Sequence, residues 1–126
     1  MSTASTKQNV LGLISLVENG KMLDAMTAYY AADVAMQENV SPPTVGFAEN
    51  YAREAAFYGS LRSLEFKAVS HLIEGDHAVI NWVFDYTTAD GQQYRMDEVS
   101  WQTWRDGKIV HERYVYDTAS MTLAAA

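Results

Sequence analysis

The chain has 126 residues, enough for one ordinary domain and too few for two. Nine Lys and Arg against 16 Asp and Glu leave a formal net charge of −7, which argues against nucleic-acid and anionic-membrane partners, since both need clustered cations. Hydrophobic residues at 48% exclude disorder, and the absence of Cys excludes disulfides, thiolate metal sites and Cys nucleophiles.

The polar stretch at residues 1–9 has no apolar core of a signal peptide, and no run approaches a membrane span, so a cytoplasmic compartment is expected. Residues 5–19 read as a helix, with Ser5 and Gln8 as a capping box and Val10, Leu13, Ile14 and Val17 on one face. A second helix is expected over residues 22–31, burying Leu23, Met26 and Tyr30. Residues 34–37 allow a short strand before Pro42 and Pro43 break it. Gly46 precedes a third helix at 47–58, with Gly59 as its C-cap.

The remainder alternates as strands do. Leu64, Phe66 and Ala68 alternate with charged residues over 61–74, and Ile80, Trp82, Phe84 and Tyr86 alternate over 78–88. Asp90-Gly91 turns the chain into a strand at 92–105, and Asp106-Gly107 into one at 108–117. Residues 1–5 and 118–126 are expected as tails. Three helices followed by four long strands form an α+β order, with the helices covering one face of an antiparallel sheet whose curvature leaves a cone.

The blocks Met96-Asp97-Glu98-Val99, Trp104-Arg105-Asp106-Gly107-Lys108-Ile109-Val110 and Glu112-Arg113-Tyr114-Val115-Tyr116-Asp117 resemble the signature of SnoaL-like proteins in the nuclear transport factor 2-like superfamily. The element order agrees over nearly the whole chain. The resemblance implies a cone-shaped α+β barrel, usually dimeric, in a superfamily that includes isomerases, dehydratases, cyclases, epoxide hydrolases and binding modules. The catalytic Asp-Arg-Asp set of limonene epoxide hydrolases would fall near Trp82, Phe84 and Tyr114, where neither acid nor Arg stands. The base of ketosteroid isomerases lies in the region matching residues 36–40, where Glu38 is the acid.

If Arg105 and Asp106 make a type I turn with Gly107 in a left-handed bulge, Trp104 pairs with Lys108. Gln102 then faces Val110, Ser100 faces Glu112, Glu98 faces Tyr114 and Met96 faces Tyr116. The resemblance favours this register, because the matching positions line the cone, although a one-residue change in the turn would exchange the faces. Glu98 and Glu112 then sit diagonally inside an apolar cone, and two such carboxyls repel, so one should keep a proton near neutrality. A proton donor beside an acceptor suits enolisation, dehydration or epoxide opening, and a Tyr hydroxyl suits a developing oxyanion.

Glu98, Glu112 and Tyr114 are therefore the candidate catalytic residues. Tyr30, Met36, Glu38 and Tyr51 are candidate substrate contacts from the first half of the chain. Trp82, Phe84, Met96, Ser100 and Tyr116 are those from the strands. His71, His77 and His111 have no metal-ligand spacing, so neither metal nor cofactor is expected, although His71 remains an alternative base. The opposite sheet face carries Val99, Trp101, Ile109 and Val115, an apolar set that implies a homodimer. Two functions fit: a cofactor-free acid–base enzyme on a small, apolar, oxygenated molecule, or a non-catalytic ligand-binding or dimerisation module whose carboxyls are tied off by Tyr or Arg.

Overall fold

In the computed structural model, residues 2–118 are described; all of the expected tail at 118–126 but its first residue lies outside them, as does Met1. Helix α1 (Thr3–Glu18) starts earlier than expected. Ser2 is its cap, accepting from the Ser5 amide at 3.1 Å, so Ser5 is the third helical residue and not the cap. Helix α2 (Met22–Tyr29) is shorter than expected, because the chain becomes extended at Tyr30. Strand β1 (Tyr30–Glu38) thus has nine residues and takes in Tyr30, which the sequence placed on the helix. A two-residue strand β2 (Thr44–Val45) precedes helix α3 (Phe47–Gly59), whose last residue is the glycine expected to cap it. Strands β3 (Leu61–Glu74), β4 (His77–Thr88), β5 (Gln93–Arg105) and β6 (Lys108–Val115) follow the expected alternation.

The strands form one curved, unclosed six-stranded sheet in the order β2-β1-β6-β5-β4-β3. Consecutive long strands pair antiparallel, but β1 lies parallel to β6, pairing Met36 with Glu112 and Glu38 with Tyr114. That pairing brings the start of the sheet against its end. Val10, Leu13 and Ile14 of α1 and Ala25 and Met26 of α2 pack on the inner face with Val34, Ile80, Trp82, Trp104 and Ile109. Buried Asn50 fixes α3 to β1 and β2, donating to the carbonyls of Val34 at 3.3 Å and Thr44 at 2.9 Å.

The β5–β6 register differs from the expected one. Asp106 (φ 52°) and Gly107 (φ 78°) both take left-handed backbone, so the hairpin closes through two residues and Arg105 pairs with Lys108. The pairing runs Trp104–Ile109, then Thr103–His111, leaving Val110 as a bulge. Beyond it Gln102 faces Glu112 and Ser100 faces Tyr114, a two-residue slip from the expected ladder. A slip of two preserves the faces, and Met96, Glu98, Ser100, Gln102, Trp104 and Glu112 are all buried inside. Ile109 is the exception among the outer set: it precedes the bulge, faces inward with Trp104 and is fully buried, so it takes no part in an outer interface.

Candidate active site

The cone holds a cavity of about 420 Å³ that is partly open to solvent. Leu13, Met22 and Met26 from the helices close one side. Trp82, Phe84 and Met96 from the central strands form the opposite wall. Of the candidate residues, Tyr30, Met36, Glu38, Trp82, Phe84, Met96, Glu98, Glu112, Tyr114 and Tyr116 line it. Two of the expected contacts do not. Ser100 is buried beneath the floor, bonded to Glu112, and Tyr51 stacks on Phe47 with ring centres 5.5 Å apart, outside the lining. His71 is exposed on β3 and lines no part of the cavity.

Glu112 is 1% exposed and sits at the centre of a hydrogen-bond network. Its Oε1 accepts from the hydroxyls of Tyr30 and, at 2.6 Å, Tyr114. Its Oε2 accepts from the Ser100 hydroxyl at 2.5 Å and from Gln102 Nε2 at 2.8 Å. The indole of Trp104 donates to Gln102 Oε1 at 3.1 Å, fixing which end of that amide faces Glu112. Four donors fill the acceptor capacity of one carboxylate. The same bonds commit the protons of Tyr30 and Tyr114 to Glu112, so Tyr114 offers the cavity a lone pair and not the expected oxyanion donor. Burial first, then the Glu112 charge, raises both phenols well above their ordinary value.

Glu98 stands in contrast. It lies beyond the last β5–β6 pair, opposite Trp82 on β4, and is 7% exposed. Its carboxyl lines the cavity and makes no hydrogen bond among the described residues. Burial, followed by the charges of Glu38, Glu112 and Glu54, pushes it well above the usual carboxylate range. A carboxyl that faces a cavity and holds its proton more tightly than usual can donate it there; its anion, once formed, is a base.

Arg53, Glu54 and Tyr58 of α3 also line the cavity, although none of them was among the expected site residues. Arg53 Nη1 lies 3.1 Å from Glu54 and 3.6 Å from Glu38, and Asn50 Oδ1 accepts from its Nη2 at 3.1 Å. Burial raises Glu54 and Glu38, each opposed first by Arg53. Tyr116, at the rim, is pushed up to about 12 by burial and then by the Glu38 charge. The spacing Asn50, Arg53/Glu54, Phe57/Tyr58 is a helical stripe, and that periodicity is the signal that a search for apolar stripes passes over.

Among the described residues no group of three or more His, Asp or Glu is placed to hold a metal ion, and no helix is long and apolar enough to cross a membrane. Proteins of the same fold share the arrangement of helices and sheet. An NTF2-like protein from Burkholderia pseudomallei superimposes with a TM-score of 0.79 at 17% identity, over 94% of each chain. A provisionally assigned SnoaL-like polyketide cyclase from Mesorhizobium loti gives 0.76 at 24% identity, over 92% of this chain and all of that one. An epoxide hydrolase of limonene-epoxide-hydrolase type from M. tuberculosis gives 0.77 at 14% identity, over 94% and 86%. At such identities the likeness is one of fold. Curated proteins give no match to the sequence. The family model described as the SnoaL-like domain matches residues 10–112, and with most of the sequence inside that match the chain belongs to the SnoaL-like domain family.

Proposed function

We propose that this protein is a cofactor-free acid–base enzyme acting on a small, largely apolar, oxygenated molecule, by isomerisation, dehydration, cyclisation or hydrolysis. The observation that carries the reading is Glu98: a buried, unbonded carboxyl facing a cavity, with its proton held by burial. The proton passes from Glu98 to a substrate oxygen as charge develops there, and the resulting carboxylate takes a proton back from carbon or water. Glu112 acts as a positioning residue, holding Tyr30 and Tyr114 in one orientation. The likeness in fold to an epoxide hydrolase agrees with acid–base chemistry in such a cone, but the Asp-Arg-Asp set is absent at Trp82, Phe84 and Tyr114.

The test is a panel of enolisable ketones and epoxides, with each hit repeated on Glu98→Gln. We expect kcat to fall at least about a hundredfold with KM little changed. Undiminished turnover by Glu98→Gln would remove the assignment. One observation favours the non-catalytic alternative: Glu112 is tied off by four donors, the state expected of a carboxyl in a pure binding module. Its mark is saturable ligand binding that is flat from pH 5 to 8, without turnover. We further place a homodimer on the outer sheet face, through Val99, Trp101 and Val115.

A further inference from the structure

The groups around the cavity do not balance in charge. Glu38, Glu54, Glu98 and Glu112 line it, and Arg53 is the one cation among the described lining residues. Arg53 is already held between Glu38 and Glu54, and Glu112 is satisfied by neutral donors. Glu98 alone has neither a hydrogen bond nor a counter-charge, although more than nine-tenths of its surface is buried. The wall beside it is aromatic. Phe66 stacks on Phe84 at 4.5 Å and meets Trp82 and Tyr58 nearly edge-on, so rings in two nearly perpendicular orientations line the cavity. A neutral apolar ligand would expel water from these carboxyls and return nothing to them. A positive charge spread over alkyl groups gains from both the ring faces and the carboxyl.

We propose that the ligand of this cavity carries a compact organic ammonium group, seated against the aromatic wall with Glu98 as its counter-ion. The inference rests on the cavity being the ligand site, as in the functional reading above, and adds the charge of the ligand; with such a ligand bound Glu98 is the anion, so it enters the acid–base cycle as the base and returns the proton as the acid. Binding is linked to protons. A permanent cation displaces the Glu98 proton to solvent, whereas a free-base amine takes that proton, the O–H bond breaking as the N–H bond forms. The groups that set the linkage are Glu38 of β1, Glu54, Arg53 and Tyr58 of α3, Glu112 and Tyr114 of β6, and Tyr116 just beyond it.

The experiment titrates the full chain with benzyltrimethylammonium and with its neutral isostere neopentylbenzene, followed by Trp fluorescence at pH 5 and pH 8. For the cation we expect Kd to fall at least about tenfold from the lower pH to the higher, and for the neutral compound to stay flat. In Glu98→Gln the cation should lose its pH dependence while the neutral compound still binds, which also shows that the variant is folded. Binding of the neutral compound alone, or cation binding that is flat with pH and unchanged in Glu98→Gln, overturns the ammonium assignment and leaves the cavity as a ligand site. Binding of neither overturns both.

Discussion

The Tyr30 hydroxyl donates to Glu112 Oε1 across the seam where β1 runs parallel to β6, joining residues 82 positions apart. The bond is buried and charge-assisted, so it fixes the first residue of β1 against the floor of the cone. Tyr30→Phe removes one of four donors and should cost about 2 kcal/mol in urea unfolding. Glu112→Gln should cost more, about 3 kcal/mol, because its amide would point two protons at groups that themselves donate. Equal, near-zero costs for both would show that the network contributes no stability.

Stability should also depend on pH through Glu98. Its folded pKa is raised, so between the ordinary carboxylate value and that folded value the native state binds more protons than the unfolded chain. Stability therefore falls as pH rises through this window and levels off above the folded pKa. Raised Glu38 and Glu54 act in the same direction. Glu98→Gln removes the largest part of the slope, about 1.4 kcal/mol for every tenfold by which folding tightens the hold of this carboxyl on its proton. The variant should match wild type at pH 4 and exceed it at pH 8. The same difference at both pH values would mean that Glu98 titrates as an ordinary surface acid.

The strands were legible because alternation survives whatever the turns do: Trp82 and Phe84 needed only a period of two to share a face, whereas the resemblance chose the inner face for Met96 and Glu98. Register was not, because Asp106-Gly107 fits both a two-residue turn and a three-residue loop with a bulge. The structure takes the two-residue turn and sets the extra residue at Val110, so Ile109 changed face while Glu112 and Tyr114 did not. The parallel β1–β6 pairing was hidden because it joins distant segments without a local signal. Tyr30 was misplaced for a related reason: its partner Glu112 lies 82 residues on, and that tertiary bond outweighs local helix propensity. Glu54 was passed over because the third helix was read for its apolar residues, and Arg53 pairs with Glu38 and Glu54 and not with the two carboxyls that an Arg was expected to tie off.

Gly12 lies inside α1, where glycine normally costs about 1 kcal/mol relative to alanine. Here the sign should reverse. A Cβ at Gly12 would run into the Tyr29 hydroxyl, with Cζ of the same ring 3.1 Å away. The Tyr29 ring is half-buried and edge-on to Trp104 at 5.9 Å, so yielding would disturb the residue that orients Gln102. Gly12→Ala should therefore destabilise by about 1–3 kcal/mol. In a Tyr29→Phe background the cost should shrink, since the closest atom is gone; additive effects in that double-mutant cycle would place the cause elsewhere.

On the outer face, Trp101 is 53% exposed and Val115 45% exposed. Trp101 pairs with Val79 on one side, and Val99 pairs with Val115 on the other, so the four side chains form one apolar patch over β4, β5 and β6. An apolar patch carrying a large aromatic suits a self-complementary interface, in which a second copy covers the same residues. Trp101→Glu should leave the isolated chain about as stable as before, within ~0.5 kcal/mol, because the position is exposed there. In the pair it would bury two carboxylates face to face. Sedimentation should find wild type as a dimer of 14.1 kDa chains and the variant as a monomer. A wild-type monomer at high protein concentration would reject the interface, and a Trp101→Glu protein that remains dimeric would move it to another face of the cone.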